Sequence, residues 1–185
     1  MNLVNPENMV LTTIRLVESD EKSHIRLSAN GGNSILLVCE PDREIDYIRA
    51  IRKLMPEDKY QIIDLSDLLC QFVEQNKSNL EEMFNLLQGS LHQIFKTPAG
   101  EEGSDYLGLI LQAVDSSLKA DKIPVLINTG TLYGSGIGSI HIVENDLVMR
   151  AKSPLIILYP ATWVQDMLMF LGKRPASKYR CMVLK

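Results

Sequence analysis

The chain has 185 residues, 45% of them hydrophobic and 23% charged. That is enough for one domain of roughly 150 residues with its own core, and it excludes wholesale disorder, a collagen-like fibre and a many-span membrane protein. With 19 basic and 23 acidic residues the net charge is −4, so the molecule as a whole is not built to hold nucleic acid or an anionic membrane.

At the N-terminus, Asn5-Pro6-Glu7 predicts a helix start: Asn caps, Pro suits the first turn, and Glu favours the positive helix end. The helix is expected to run through Val17, followed by a polar connector over 18–33 that ends in the turn signal Asn30-Gly31-Gly32-Asn33. Ile35-Leu36-Leu37-Val38-Cys39 is a continuous apolar run of strand length, suited to a strand covered on both faces. Pro41 stops it, and Ile45, Ile48, Ile51 and Met55 mark a helix over 42–55 that Pro56 ends. Tyr60 to Leu65 predicts a second strand, and Ser66 opens a helix with Leu68, Leu69, Phe72 and Val73 on one side. Ser78-Asn79-Leu80-Glu81 fits a capping box and predicts a new helix start. Leu80, Met83, Phe84, Leu87, Leu91, Ile94 and Phe95 form an apolar stripe behind it.

Residues 97–104 predict a loop and 105–119 a helix. Pro124 opens a third strand, Val125-Leu126-Ile127. A glycine-rich loop and a helix are expected over 128–152, and Pro154 opens a fourth strand, Leu155 to Tyr159. Thr162-Trp163-Val164-Gln165 fits a second capping box, predicting a helix to Leu171, and Tyr179 to Leu184 reads as a last strand. Strands alternating with helices imply an α/β fold: an open, three-layer, mostly parallel sheet of about five strands flanked by helices, with an extra N-terminal helix. The pattern is P-loop-NTPase-like or Rossmann-like, yet no phosphate-binding motif accompanies it. One domain is expected, with residues 1–33 as helix and connector and 34–185 as the sheet core.

Cys39, Cys70 and Cys181 are an odd set without C-x-x-C spacing, expected to be buried free thiols rather than zinc ligands. They point to a reducing cytoplasm. Neither a basic region leading into an apolar leader nor a stretch of about 20 apolar residues occurs.

In an open α/β sheet, ligands lie beyond the carboxyl ends of the strands. That edge would present Glu40, Asp64, Asn128, Thr129 and Tyr159. Glu40 and Asp64 could pair to share a proton or hold Mg²⁺ if their strands are neighbours, or could instead cap the helices that follow. The loop Thr129-Gly130-Thr131-Leu132-Tyr133-Gly134-Ser135-Gly136-Ile137-Gly138-Ser139 could aim backbone N–H groups at phosphate. It matches neither G-x-x-x-x-G-K-[ST] nor G-x-G-x-x-G, and it follows the third strand rather than the first. Tyr133 and Ser139 are nonetheless candidates within it. Of the three histidines, His24 and His92 suggest no site, whereas His141 sits beside the loop and could act as acid or base. Trp163 fits a core or interface anchor better than a base-stacking residue.

Charge is uneven: residues 1–121 hold 11 basic and 20 acidic groups, whereas 122–185 hold 8 and 3. Lys173, Arg174, Lys178, Arg180 and Lys185 crowd a tail without an acid, which is either a charged edge that blunts aggregation or a docking surface.

Several segments together resemble a known family. Ser34-Ile35-Leu36-Leu37-Val38-Cys39-Glu40-Pro41 resembles its opening strand and acidic-Pro turn, and Ile63-Asp64-Leu65 with Leu68-Leu69 its second strand and helix. Ile127-Asn128-Thr129-Gly130 with Tyr133 resembles its TG-x-G-x-x-[FY]-P segment. Pro154-Leu155-Ile156-Ile157-Leu158-Tyr159-Pro160 resembles its P-hydrophobic-YPG segment, and Leu168 to Gly172 with Tyr179-Arg180 its L-x-L-F-G and closing strand. In this order, over residues 33–184, the set resembles the BrxB-type domain of bacterial BREX phage-resistance systems. The departures are Gly138 where the family has an arginine before its Ser/His pair, Gly134 for Pro, Ala161 for Gly, and Lys178 for the first Tyr of a doubled pair.

The resemblance implies a cytoplasmic, non-catalytic component of a defence complex without a cofactor. Its partners would be a PglZ-like alkaline-phosphatase-like protein and other subunits of the same system. The glycine-rich loop, Trp163 and the basic tail with Lys173, Arg174, Lys178 and Arg180 would form the contact surface; no membrane is involved, direct nucleic-acid binding is not expected, and self-association is open. The rival expectation is a nucleotide-binding or phosphate-ester-cleaving enzyme using Glu40, Asp64, Thr129 and His141. A third, direct DNA binding through the tail, predicts steep salt dependence.

Overall fold

The computed structural model describes residues 5–19, 22–90, 92–96, 105–176 and 180–185. Leu91, the expected loop at 97–104, Lys178 and Tyr179 lie outside them.

Helix α1 (Pro6–Glu18) starts as its residues demand: Asn5 Oδ1 accepts the Glu7 N–H at 2.9 Å, and Val10, Thr13 and Val17 form its buried face. The connector is more ordered than its polarity suggests, because α2 (Lys22–Ser28) occupies it and buries Ile25. All six residues of β1 (Ser34–Cys39) are buried. A 3-10 turn over Pro41–Arg43 leads to α3 (Glu44–Leu54), in which Ile48 and Ile51 face inward while Ile45 faces solvent.

After β2 (Tyr60–Asp64), α4 (Leu65–Leu86) runs unbroken through the expected capping box at Ser78. No Gly or Pro interrupts the helix there, and Ser78 Oγ turns to Asn79 Oδ1 at 3.3 Å instead of capping a free N–H. The short α5 (His92–Phe95) and α6 (Tyr106–Lys119) follow, the latter capped by Asp105, whose Oδ1 accepts the Gly108 N–H. β3 (Ile123–Ile127) leads into the glycine-rich loop, after which two four-residue helices, α7 (Ile140–Val143) and α8 (Asp146–Met149), stand in place of one longer helix.

The largest correction lies in the last quarter. β4 (Leu155–Val164) continues through the expected capping box and turns back as β5 (Met167–Phe170), paired antiparallel with Val164 opposite Met167. Gln165 and Asp166 sit at φ 47° and 62°, the positive values of a two-residue type I′ hairpin turn. Thr162, Trp163 and Val164 are β-branched or aromatic, and their pairing partners Met169, Leu168 and Met167 outweigh the Thr-x-x-Gln signature. A two-residue strand β6 (Arg174–Pro175) extends the hairpin, and β7 (Met182–Leu184) closes the sheet.

The sheet order is β2-β3-β4-β1-β7, and every pairing along it is parallel, so the expected open parallel α/β sheet of five strands is present with the β5–β6 hairpin added. Side chains alternate between two cores. Ile35, Leu37 and Cys39 of β1 meet Val10, Val17, Ile48 and Ile51 of the helices on one face. Leu36 and Val38 meet Phe72, Ile110, Val114, Ile142 and Val143 on the other. The chain leaves β1 toward the α1–α3 face but leaves β2, β3 and β4 toward the opposite face. The topological switch point, where ligands of such sheets collect, therefore lies at the carboxyl ends of β1 and β4.

Candidate functional site

The strand order decides the first expectation. β1 and β2 are separated by β4 and β3, so Glu40 and Asp64 are not neighbours and the anticipated carboxylate pair does not form. Glu40 is exposed and stands before Pro41 and the 3-10 turn, making no capping hydrogen bond, so β1 opens onto an acidic-proline turn rather than onto a phosphate loop.

Asp64 is instead the hub of a latch. Its Oδ1 accepts the Ser66 N–H at 3.0 Å and caps α4. Asn128, at the end of β3 with φ 55°, donates its Nδ2 to both carboxylate oxygens at 2.8 and 2.9 Å, and Arg52 approaches at 3.3 Å from α3. The carboxylate beside Asp64 is Glu44, in the first turn of α3: burial, and then the charge of Asp64, raise its pKa, and its Oε1 is buried without a hydrogen-bond partner. Tyr106 closes the floor, its hydroxyl donating to the Leu65 carbonyl at 2.7 Å and lying 3.0 Å from Thr131 Oγ1. Burial pushes that phenol up to about 12, so it stays a neutral hydrogen-bonding group.

Thr129 is fully buried and donates to the Leu158 carbonyl at 2.8 Å, pinning the loop to β4 rather than presenting a hydroxyl to a ligand. Ser135 is similarly consumed, donating to Leu132 O and accepting the Ile137 N–H. Ser139 is buried at the start of α7 and caps it with no side-chain bond. Tyr159 is buried against the Phe170 ring at 4.8 Å, whereas Tyr133 is exposed.

A second cluster lies beside the same loop. The Gly138 N–H donates to His141 Nδ1 at 2.9 Å, and His141 Nε2 stands 2.9 Å from the Lys96 ammonium. Arg174 reaches in from β6: its Nη2 is 3.2 Å from the point where a Cβ on Gly138 would sit, and His141 Nδ1 is 4.0 Å from that point. Burial, then Lys96 and Arg174, depress the His141 pKa. Lys96, Glu44 and Arg52 carried no signal in the sequence, because each meets its partners only through the tertiary fold.

Of the expected contact residues, Trp163 is 43% exposed at the hairpin tip with Lys185 Nζ 4.3 Å above its ring. Lys173, Arg174 and Arg180 are exposed, and the Arg180 N–H points to Glu144 Oε1 at 3.4 Å. Cys39 and Cys181 are buried as expected, whereas Cys70 is exposed on α4, because its position falls off the apolar stripe. Among the described residues no three His, Cys, Asp or Glu side chains converge as metal ligands, and no helix is long and apolar enough to cross a membrane. Comparison with known proteins returns no matching family model, no matching curated protein and no matching solved structure.

Proposed function

We propose that the chain is a non-catalytic interaction module of a BREX-type phage-defence complex, acting in the cytoplasm and docking on a PglZ-like partner. The ordered set of segments resembling the BrxB-type domain supports the setting. The observation that carries a docking role is the β4–β5 hairpin, whose tip exposes Trp163, Val164 and Met167 together, at 43%, 47% and 52%. Large apolar side chains left exposed on a two-strand tip, Trp163 on one face and Val164 with its partner Met167 on the other, have no core to fill; Trp is the residue type most enriched among binding hot spots, and a cation beside it suits an acidic partner. Lys185, over the Trp163 ring, supplies a cation at that tip.

The test is affinity capture of the tagged chain from its own host, with wild type and a Trp163→Ala/Met167→Ala variant compared. Stoichiometric recovery of a PglZ-like protein by the wild type, lost in the variant while the melting temperature is kept, is the expected result. Recovery of the wild-type chain alone, or equal recovery by both, overturns the reading.

A further inference from the structure

The cluster of Lys96, His141 and Arg174 has more hydrogen-bond donors than acceptors. A neutral imidazole accepts at one nitrogen only, and the Gly138 N–H already occupies Nδ1 at 2.9 Å. Nε2 stands 2.9 Å from the Lys96 ammonium, which accepts nothing, so whichever nitrogen carries the ring proton, one of the two donors facing the ring has no acceptor. Donor stands against donor. Arg174 brings a guanidinium to the same spot, and among the described residues no carboxylate lies within salt-bridge reach of Lys96 or Arg174. The acid closest along α7, Glu144, is turned to the Arg180 backbone instead. These groups come from three separate segments: the residue after α5, the start of α7 and β6.

We propose that Lys96, His141 and Arg174 form a binding site for the phosphate group of a small phosphorylated molecule, seated against the glycine-rich loop at Gly138. Donors converging from three directions suit a tetrahedral oxyanion better than the planar pair of oxygens of a carboxylate. The missing Cβ at Gly138 matters here: a side chain at that point would sit 3.2 Å from the guanidinium and push it away from the imidazole. The bound dianion accepts from all three groups and removes the donor conflict. It also reverses the field at His141 and so raises the pKa of the ring, while Nδ1 keeps the Gly138 N–H. The charges facing the ring are Lys96 and Arg174, both cationic. The site uses residues other than the hairpin tip, so it stands or falls independently of partner docking.

The experiment is calorimetric titration of the full chain with inorganic phosphate and with glycerol 3-phosphate, alongside NMR of the His141 ring, with acetate as the carboxylate probe. One saturable site for both phosphates is expected, together with a raised His141 pKa in the bound state. Lys96→Gln and Arg174→Gln should each weaken binding by about tenfold or more, the loss of one charge-assisted hydrogen bond, at unchanged melting temperature. Absence of saturable phosphate binding overturns the proposal, as does acetate binding equally well, variants that bind like wild type, or binding that leaves the His141 pKa where it was. Capture only of oligonucleotides, with no competition by inorganic phosphate, also overturns it and points to a nucleic-acid surface.

Discussion

Whether Asp64 is a structural latch or a reactive carboxylate is decided by its coupling to Asn128. Replacing Asp64 by Ala removes the cap of α4, worth about 1 kcal/mol, and the short bonds from Asn128 to a charged acceptor, worth roughly 1.5–3 kcal/mol. The Arg52 pair adds little, because its arginine is 59% exposed and exposed pairs contribute about 0–1 kcal/mol. The sum is roughly 3 kcal/mol, which for a chain of this size lowers the melting temperature by roughly 6–12 °C. Asn128 should be replaced by Gly rather than Ala, since its φ of 55° would strain any residue with a Cβ. In a double-mutant cycle followed by urea unfolding, Asp64→Ala and Asn128→Gly should couple by about 1.5–2 kcal/mol. Additivity within about 0.5 kcal/mol would refute the latch. An Asp64→Ala protein more stable than wild type would mark the carboxylate as held at a cost, as reactive groups are.

At the hairpin, Gln165→Asn with Asp166→Gly relieves two positive-φ positions and should raise stability by about 1 kcal/mol, read as a higher melting temperature with partner capture unchanged. Glu44 has a folded-state pKa above its ordinary 4.5, so its ionised form opposes folding: the stability present below that value is lost as pH rises through the folded pKa. Glu44→Gln should therefore be more stable than wild type near neutral pH, with the gap closing below about pH 4.5 in pH-dependent unfolding curves. Thiol titration with an aromatic disulfide should find Cys70 reacting at once, and Cys39 and Cys181 only on unfolding, because burial holds both buried thiols well above their ordinary pKa. Gly32→Ala would drive a Cβ into the Arg180 carbonyl oxygen; it should displace the segment leading into β7 and cost about 3 kcal/mol, measured by chemical denaturation.

The layered fold was legible because burial on both faces writes itself as unbroken apolar runs. Ile35 to Cys39, Val125 to Ile127 and Leu155 to Tyr159 are such runs, and they form the centre of the sheet. The hairpin was illegible because Thr162-Trp163-Val164-Gln165 satisfies a helix-capping pattern and a strand pattern at once, and Gln-Asp lacks the glycine that usually announces a type I′ turn. The choice is made by cross-strand partners that local sequence does not name. At the site, the capping role of Asp64 could be read from Ser66 two residues on. Its supposed pairing with Glu40 could not, since that required strand order, and strand order is set by contacts between distant segments. Lys96 and His141, 45 positions apart, meet for the same reason.

The place of β1 in the middle of the sheet has a consequence for synthesis. Its parallel neighbour β4 begins roughly 120 positions later, with Ser34 opposite Leu155, and its other neighbour β7 later still. At a translation rate of about 5–20 residues per second, a hexapeptide apolar on both faces waits on the order of ten seconds before either edge can be covered. Such a segment, low in charge and free of proline, is the kind that stacks with copies of itself. Yield of soluble protein should therefore depend on how crowded the nascent chains are: weak promoters, low growth temperature and co-expressed chaperones should favour it, well before the stability of the finished fold comes into question.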